Sequence, residues 1–230
     1  FKRKLLSKIL FTTLTQFDSK IETNVMFEPK IEVNSIAEVM DRLRIPQLRA
    51  AESEKFPHVT FFFNCLRQKP FETEIRIIVP SPHVKSYDLK PEMSCIELTD
   101  KTINAVEKND FGFVLVNYAN ADMIGHTGNF NATVKAIEIM DKQLERLVTE
   151  LQKKEFEIII CADHGNADTM LDEKGNILTS HSLEKVPCIV VSSQKIKLKI
   201  VKDGCLGNVA PTLLELMHLN KPSEMIDGLI

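Results

Sequence analysis

Four continuous apolar runs constrain the fold of this chain more than any other feature of its sequence. They read IRIIV at 75–79, FGFVLVN at 111–117, FEIIICA at 156–162 and VPCIVV at 186–191. Unbroken runs of this length are typical of strands that are buried on both faces of a sheet. They predict an α/β fold with a mostly parallel sheet covered by helices on both faces. We expect a further strand at FTTLTQF, residues 11–17.

Helical patterns separate the apolar runs, as an α/β architecture requires. One helix is expected to begin after Asn34 or Ser35, and Glu38 stands three residues after Ser35, as in a capping box. The strongest pattern covers 131–153, where apolar residues recur at spacings of three and four. A last helix is expected over 208–219.

Composition and charge narrow the class of protein. A chain of 230 residues with 43% hydrophobic residues can bury a large core without disulfides. The formal net charge of −3 argues against a nucleic-acid partner, and no apolar run approaches the length of a membrane span. Five scattered cysteines without a CxxC pair favour a reducing compartment. We therefore expect a cytoplasmic protein with neither a nucleic-acid nor a membrane partner.

Acidic and imidazole side chains stand just beyond the ends of the apolar runs. Because the carboxyl ends of parallel strands meet at one edge of a sheet, we expect these groups to converge there. Carboxylate and imidazole without thiolate suit divalent ions such as Mn²⁺, Zn²⁺ or Mg²⁺. Five ligands exceed the three that one catalytic zinc ion takes from protein, which favours two ions. The five residues are Asp122, His126, Asp163, His164 and His181.

Each of these motifs alone has an ordinary structural explanation. An Asp-His-Gly sequence after a strand is usually a turn, and a single loop histidine usually binds nothing. Their occurrence beside separate strand ends favours the metal site. The other histidines, His58, His83 and His218, have no partners at ligand spacing, and we expect them at the surface or in helix packing.

Six motifs between about residue 30 and the C-terminus occur together: EKFPHVTFFFN, LKPEMS, NADMIGHTGN, CADHGNAD, the HS at 181–182 and APTLLELM. This combination resembles cofactor-independent (2,3-bisphosphoglycerate-independent) phosphoglycerate mutase. That family belongs to the alkaline-phosphatase-like superfamily of two-metal phosphoryl-transfer enzymes. The resemblance implies a glycolytic isomerase that interconverts 2-phosphoglycerate and 3-phosphoglycerate through a phosphoserine intermediate.

The resemblance also implies a role for each matching position. Two divalent ions would be bound, with Mn²⁺ preferred, Mg²⁺ or Co²⁺ as alternatives, and no bisphosphoglycerate. Lys55 would contact the transferring phosphate, since a compact ammonium can neutralise phosphoryl charge. The implied ligands are Asp122, His126 and His181 for the first ion, and Asp163 with His164 for the second.

The family's nucleophilic serine and one more Asp ligand lie in an N-terminal segment that no part of this chain matches. We therefore expect residues 1–30 to be the tail of an inserted transferase domain, and 31–230 to be the C-terminal part of the metal-binding phosphatase-like domain. The sheet would be incomplete at its N-terminal side, with apolar surface exposed there. Such a fragment would be inactive alone, whereas the full-length enzyme would be a monomer acting on a small molecule. Cys65 and Leu66 stand where the family has glycines, which would stiffen that turn.

The sequence leaves two other hypotheses about function open. The first is another phosphatase, phosphodiesterase or phosphomutase of the same superfamily, since these enzymes share the metal ligands. The second is a non-catalytic metal-binding remnant, which the unmatched serine motivates. The GHTGN and LKPEMS motifs favour the glycolytic mutase over both.

Overall fold

The chain divides into two compact units, Phe1–Val33 and Asn34–Ile230. In the first unit, two parallel strands of two residues pair, β1 (Thr12–Thr13) and β2 (Asn24–Val25). The strand expected over 11–17 is therefore much shorter, and its last residue lies outside the described part of the chain. That this unit is the tail of an inserted domain stays a prediction. The computed structural model describes residues 9–16, 20–30, 32–199 and 204–230.

The second unit alternates strands with helices, and the four strands predicted from the apolar runs are confirmed. Among the residues that the structure describes, three 3₁₀ turns and one π-helical turn connect the elements, at Ser53–Lys55, Tyr87–Leu89, Leu206–Asn208 and His58–Phe62. The strands and helices are α1 (Ile36–Arg42), β3 (Gln47–Glu52), β4 (Glu74–Val79), α2 (Cys95–Lys108), β5 (Phe113–Asn117), α3 (Asn120–Gly125), α4 (Phe130–Lys153), β6 (Ile158–Cys161), β7 (Cys188–Val191) and α5 (Val209–Leu216).

A three-stranded parallel sheet in the order β4-β3-β5 forms the centre of this unit. Its middle strand β3 is buried along its whole length, although its sequence QLRAAE gave no apolar signal. Two of its polar side chains have partners from other elements, and the first is Gln47, whose amide donates to the Ala37 carbonyl at 3.0 Å. The Arg49 guanidinium lies over the rings of Phe63 and Phe113, 4.7 and 4.8 Å from their centroids. Tertiary contacts therefore make a strand that periodicity could not predict.

The strands β6 and β7 form a separate antiparallel ladder that is only partly buried. The mostly parallel α/β fold is confirmed, but the expectation that these two strands are buried on both faces is wrong. Among the described residues no ladder joins β6 to β5. Instead, a cavity of about 1210 Å³ lies between them, lined by both strands and by the apolar stripe of α4. The gap lies where an additional strand could pair, and the expected incomplete sheet stays a prediction.

Helix ends follow from local sequence. The Ser35 hydroxyl accepts a hydrogen bond from the Glu38 N–H at 3.2 Å, and the Glu38 carboxylate accepts from the Asn34 N–H at 2.6 Å. Ser35 is therefore the N-cap of α1, and Glu38 accepts a hydrogen bond from the residue before the cap, one position earlier than in a standard capping box.

Helix α4 packs Leu147 and Leu151 into a core cluster with β3 and α2. Among the described helices, none is long and apolar enough to cross a membrane.

Candidate metal centre

Asp122 lies in the first turn of α3, immediately beyond the carboxyl end of β5. Its side chain is mostly buried, and both oxygens have partners. The Oδ2 atom is 2.6 Å from the Lys55 Nζ, and the Oδ1 atom accepts from the Asn166 amide at 2.8 Å. Burial by itself would raise the pKa of Asp122, but the hydrogen bonds from Lys55 and Asn166 outweigh it and hold that pKa below its usual value. The carboxylate is therefore charged when an ion approaches.

Two imidazole nitrogens point at the same carboxylate oxygen. The Asp122 Oδ1 is 3.0 Å from the Nε2 of His126 and 3.3 Å from the Nε2 of His181. His126 stands four residues after Asp122, so both share one face of the helical turn. Its other nitrogen, Nδ1, donates to the Thr179 carbonyl at 2.5 Å. That bond leaves the Nε2 lone pair free for a metal.

Asp163 and His164 follow β6 and reach the same rim, but they are held less firmly. The Asp163 Oδ1 and the His164 Nε2 are 3.7 Å apart. The His164 ring stacks on the ring of His181, with centroids 3.6 Å apart and planes 16° from parallel. The five predicted ligands therefore converge. Only three of them form a tight group, since the candidate ligand atoms of Asp122, His126 and His181 all lie within 4.8 Å of one another.

Lys55 ends the 3₁₀ turn that follows β3, and its side chain is only 3% exposed. An ammonium group is seldom buried unless a counter-charge compensates it. Here the counter-charge is the Asp122 carboxylate, so the lysine and the ligand oxygen fix each other's position. Lys55, His58, Asp163 and His164 all line the cavity between β5 and β6. The structure thus places a buried cation beside the candidate ligands.

Several residues that the sequence did not single out support this arrangement. The Asn166 amide donates a hydrogen bond to the Asp122 carboxylate, and the Thr179 carbonyl accepts one from the His126 ring. Ser182 donates to the Asp168 carboxylate at 2.7 Å, and its N–H donates to the Gly165 carbonyl at 2.9 Å, which ties the two ligand loops together. Asn166, Asp168 and Ser182 lie inside the ADHGNAD and HS motifs, but the sequence does not show which side chains they contact.

His58 has the packing contact expected for it, but it also lies beside the candidate ligands. It is partly buried, packs on Phe62 with ring centroids 5.5 Å apart, and lines the same cavity as the candidate ligands. Burial first, and the charge of nearby Lys55 second, lower the pKa of His58. Its Nδ1 atom is buried without a hydrogen-bond partner among the described residues. Burial therefore favours the neutral form of this imidazole.

The tight group fits a divalent ion. One oxygen and two nitrogens that share an ion at about 2.1 Å lie about 3 Å apart, as the separations around Asp122 do. Three protein ligands with further positions open are typical of catalytic sites. Asp163 and His164 supply only two donors, so a second ion would need further ligands.

A family comparison agrees with this chemistry. The Metalloenzyme superfamily model matches residues 13–221, and the chain belongs to that superfamily. Among curated proteins it is similar to the 2,3-bisphosphoglycerate-independent phosphoglycerate mutase of Rippkaea orientalis, with 44% identity over 98% of this chain and 44% of the relative. The enzyme of the same name from Francisella tularensis subsp. tularensis is 46% identical over the same shares.

A solved structure shows the same fold. The crystal structure of Leishmania mexicana phosphoglycerate mutase at low cobalt concentration matches with a TM-score of 0.85 and 28% identity. The match covers 95% of this chain and 43% of that protein. The chain therefore spans less than half the length of the relatives it matches, and the resemblance to the mutase family is confirmed over that part.

Proposed function

We propose that this chain is the metal-binding part of a phosphoglycerate mutase that interconverts 2-phosphoglycerate and 3-phosphoglycerate in the glycolysis of the cytoplasm. Mutases similar over almost the whole chain support the proposal, as does the convergence of five candidate ligands. The observation that carries it is the buried Lys55 ammonium, 2.6 Å from a ligand carboxylate and open to one cavity. A cation and a metal-binding group that face one space are suited to a phosphoryl group.

In this proposal the residues divide their tasks. Lys55 neutralises charge on the transferring phosphoryl group, and Asp122 holds the lysine in place. When bound, the ions would lower the pKa of the serine hydroxyl and screen the phosphoryl oxygens. We propose Mn²⁺ for both sites, with Mg²⁺ or Co²⁺ as alternatives. The first ion would be held by Asp122, His126 and His181, and the second by Asp163 and His164.

The proposal assigns the rest of the reaction to chain outside this sequence. Residues 31–230 would be the C-terminal part of the phosphatase-like domain, and residues 1–30 the tail of an inserted transferase domain. A serine from that outside chain would accept the phosphate and return it to the other hydroxyl of the glycerate. The chain alone would then bind an ion but would not complete the cycle.

The test is a mutase assay with Mn²⁺ on two proteins. One is this chain, and the other joins it to the N-terminal part of the Rippkaea orientalis relative. We expect activity in the joined protein alone. In that protein Lys55→Met should lower kcat at least about 100-fold, because the substitution removes the buried positive charge that stabilises the transferring phosphoryl group. The matched control is Lys101→Met, an exposed lysine of α2 that pairs with Glu97, and it should leave kcat unchanged.

The other readings give different results in the same assay. Hydrolysis of phosphoesters without mutase activity in the joined protein would favour another phosphatase of the superfamily. Ion binding without any phosphoryl transfer would favour a non-catalytic remnant. Mutase activity in this chain alone would contradict the assignment of the serine to outside chain.

A further inference from the structure

Two cysteines face each other across the antiparallel ladder of β6 and β7. The register pairs Ile158 with Val191 and ends with Cys161 opposite Cys188. Both cysteines are exposed and neither is in a disulfide. Residues directly opposite in an antiparallel pair project from the same face of the ladder, with Cβ atoms about 4.5–5.5 Å apart. The two thiols are therefore close neighbours.

This spacing is near what a disulfide requires. A disulfide needs Cα atoms about 4.4–6.8 Å apart and Cβ atoms about 3.5–4.5 Å apart. Opposed residues on an antiparallel ladder have Cα atoms about 4.5–5.5 Å apart, so the backbone already meets the first condition. A small closing of the strands meets the second, and the partly exposed ladder leaves room for it.

The pair encloses the part of the chain that carries most of the candidate metal centre. Residues 162–187 leave β6 at Cys161 and return to β7 at Cys188. Within them lie Asp163, His164 and His181, and the bridge between Gly165 and Ser182 joins the two arms of the loop. A covalent bond between the cysteines would close this loop at its base.

We propose that Cys161 and Cys188 form a reversible cross-strand disulfide that fixes the loop carrying Asp163, His164 and His181. The oxidant is a low-molecular-weight disulfide such as oxidised glutathione. One cysteine thiolate attacks a sulfur of the oxidant, and the first glutathione thiolate leaves. The second cysteine thiolate then attacks the mixed disulfide and expels the second glutathione. The two protein thiols lose two electrons and two protons, and the oxidant gains them as two thiols.

The bond has two consequences that do not depend on the mutase proposal. Closing a loop of this length removes conformations from the unfolded chain, so the midpoint of thermal unfolding should rise by about 5 °C or more. The loop base can no longer open, so an ion bound by His181 together with Asp122 should dissociate more slowly in the oxidised chain. Both effects should reverse with a dithiol reductant.

The experiment equilibrates the whole chain with mixtures of oxidised and reduced glutathione at pH 8. Mass spectrometry of the intact chain and of its peptides then follows the bond. We expect the loss of two hydrogen masses and one cross-linked peptide pair that contains Cys161 and Cys188. Cys161→Ser and Cys188→Ser should each abolish that pair and the thermal shift, whereas Cys205→Ser, also an exposed cysteine, should leave both intact.

Results on the wild-type chain alone can overturn the proposal, so it does not depend on whether a variant folds. Mixed disulfides with glutathione on both cysteines, without a cross-link, would show that the thiols cannot meet. A cross-link to Cys205 instead would place the reactive pair elsewhere. A full cross-link that changes neither the unfolding midpoint nor the dissociation of Mn²⁺ would refute the fixing of the loop.

Discussion

The candidate metal centre joins two regions that are built differently. On one side, the β4-β3-β5 sheet with α3 holds Lys55 and Asp122 in a packed interior; we call this the packed side. On the other, the β6-β7 ladder and the loop 162–187 hold Asp163, His164 and His181; we call this the open side. Asp122 is 13% exposed at its side chain, whereas Asp163 is 42% exposed and His181 is 50% exposed.

The difference shows which part of the site this chain organises by itself. On the packed side, the Lys55 ammonium holds the Oδ2 of Asp122, and the Asn166 amide reaches over from the loop 162–187 to the Oδ1, so this ligand is fixed before any ion arrives. On the open side, the cavity between β5 and β6 leaves the β5-facing edge of β6 without a paired strand among the described residues. Preorganised ligands bind with less loss of conformational entropy. Affinity for a first ion should therefore depend far more on the packed side.

The largest expected effect comes from removing the charge at the centre of the packed side. Asp122→Asn should weaken Mn²⁺ binding to this chain by at least about 100-fold, because one charged ligand and the anchor for both imidazoles are lost. It should also destabilise the fold by about 3–5 kcal/mol, since the Lys55 ammonium would be buried without a counter-charge. Calorimetric titration and urea unfolding measure the two effects.

A double variant separates binding from folding in that experiment. Asp122→Asn with Lys55→Met removes the unpaired charge, so stability should largely return while Mn²⁺ affinity does not. Asp163→Asn tests the open side and should weaken the first ion less than about threefold. Asp100→Asn, an exposed acid of α2 that pairs with Arg146, is the control. Equal losses of Mn²⁺ affinity for Asp122→Asn and Asp163→Asn would show that the two sides contribute equally to binding of the first ion.

Glu52, the last residue of β3, shows how well the packed side excludes water. Glu52 is fully buried, and its Oε2 atom has no hydrogen-bond partner among the described residues. Burial raises the pKa of Glu52 from 4.5 to about 7, although its other oxygen accepts from the Ser94 N–H at 3.0 Å. The folded chain therefore keeps this proton at a pH where the unfolded chain has released it.

That difference makes the free energy of unfolding fall as pH rises. Between about pH 4.5 and 7 the unfolded state binds fewer protons than the folded state, so stability is lost through this window and stays low above it. We expect a loss of about 2–3 kcal/mol by pH 8. Glu52→Gln should restore it at pH 8 and change little at pH 4.5 in urea unfolding without metal.

The control for this measurement is Glu107→Gln, an exposed glutamate of α2, which should shift neither curve. If Glu52→Gln changed the free energy of unfolding equally at both pH values, the glutamine would pack differently and burial would not raise the pKa of Glu52. The measurement also tests whether the packed side excludes water, because only a dry environment raises the pKa of the Glu52 carboxyl in this way.

The sequence predicted the two sides unequally. The apolar runs predicted β4, β5, β6 and β7, and the periodicity of 131–153 predicted α4 almost to the residue. The central strand β3 was missed, because its buried Gln47, Arg49 and Glu52 are stabilised by partners distant in sequence.

The convergence of the five candidate ligands was predictable because parallel strands place their carboxyl ends at one edge. The difference between the firmly held Asp122 and the more exposed Asp163 and His181 was not predictable, because it depends on side-chain partners. Asn166 and Thr179 lie far along the chain from the residues they hold, and no local pattern marks them. The antiparallel pairing of β6 with β7 was also missed, because an apolar run does not show whether its strand pairs in a parallel or an antiparallel direction.

The smallest expected effect concerns Asn166, which links the open side to the packed side. It is 5% exposed, and its amide nitrogen donates to the Oδ1 of Asp122 and, at 3.4 Å, to the backbone carbonyl of the same residue. Asn166→Ala should weaken Mn²⁺ binding about 10-fold, because a group that orients a ligand is lost while all ligands remain. Asn131→Ala, at an exposed position of α4, is the matched control in the same titration. A loss as large as that of Asp122→Asn would mean that the open side orders the carboxylate, and the two sides would then be one unit.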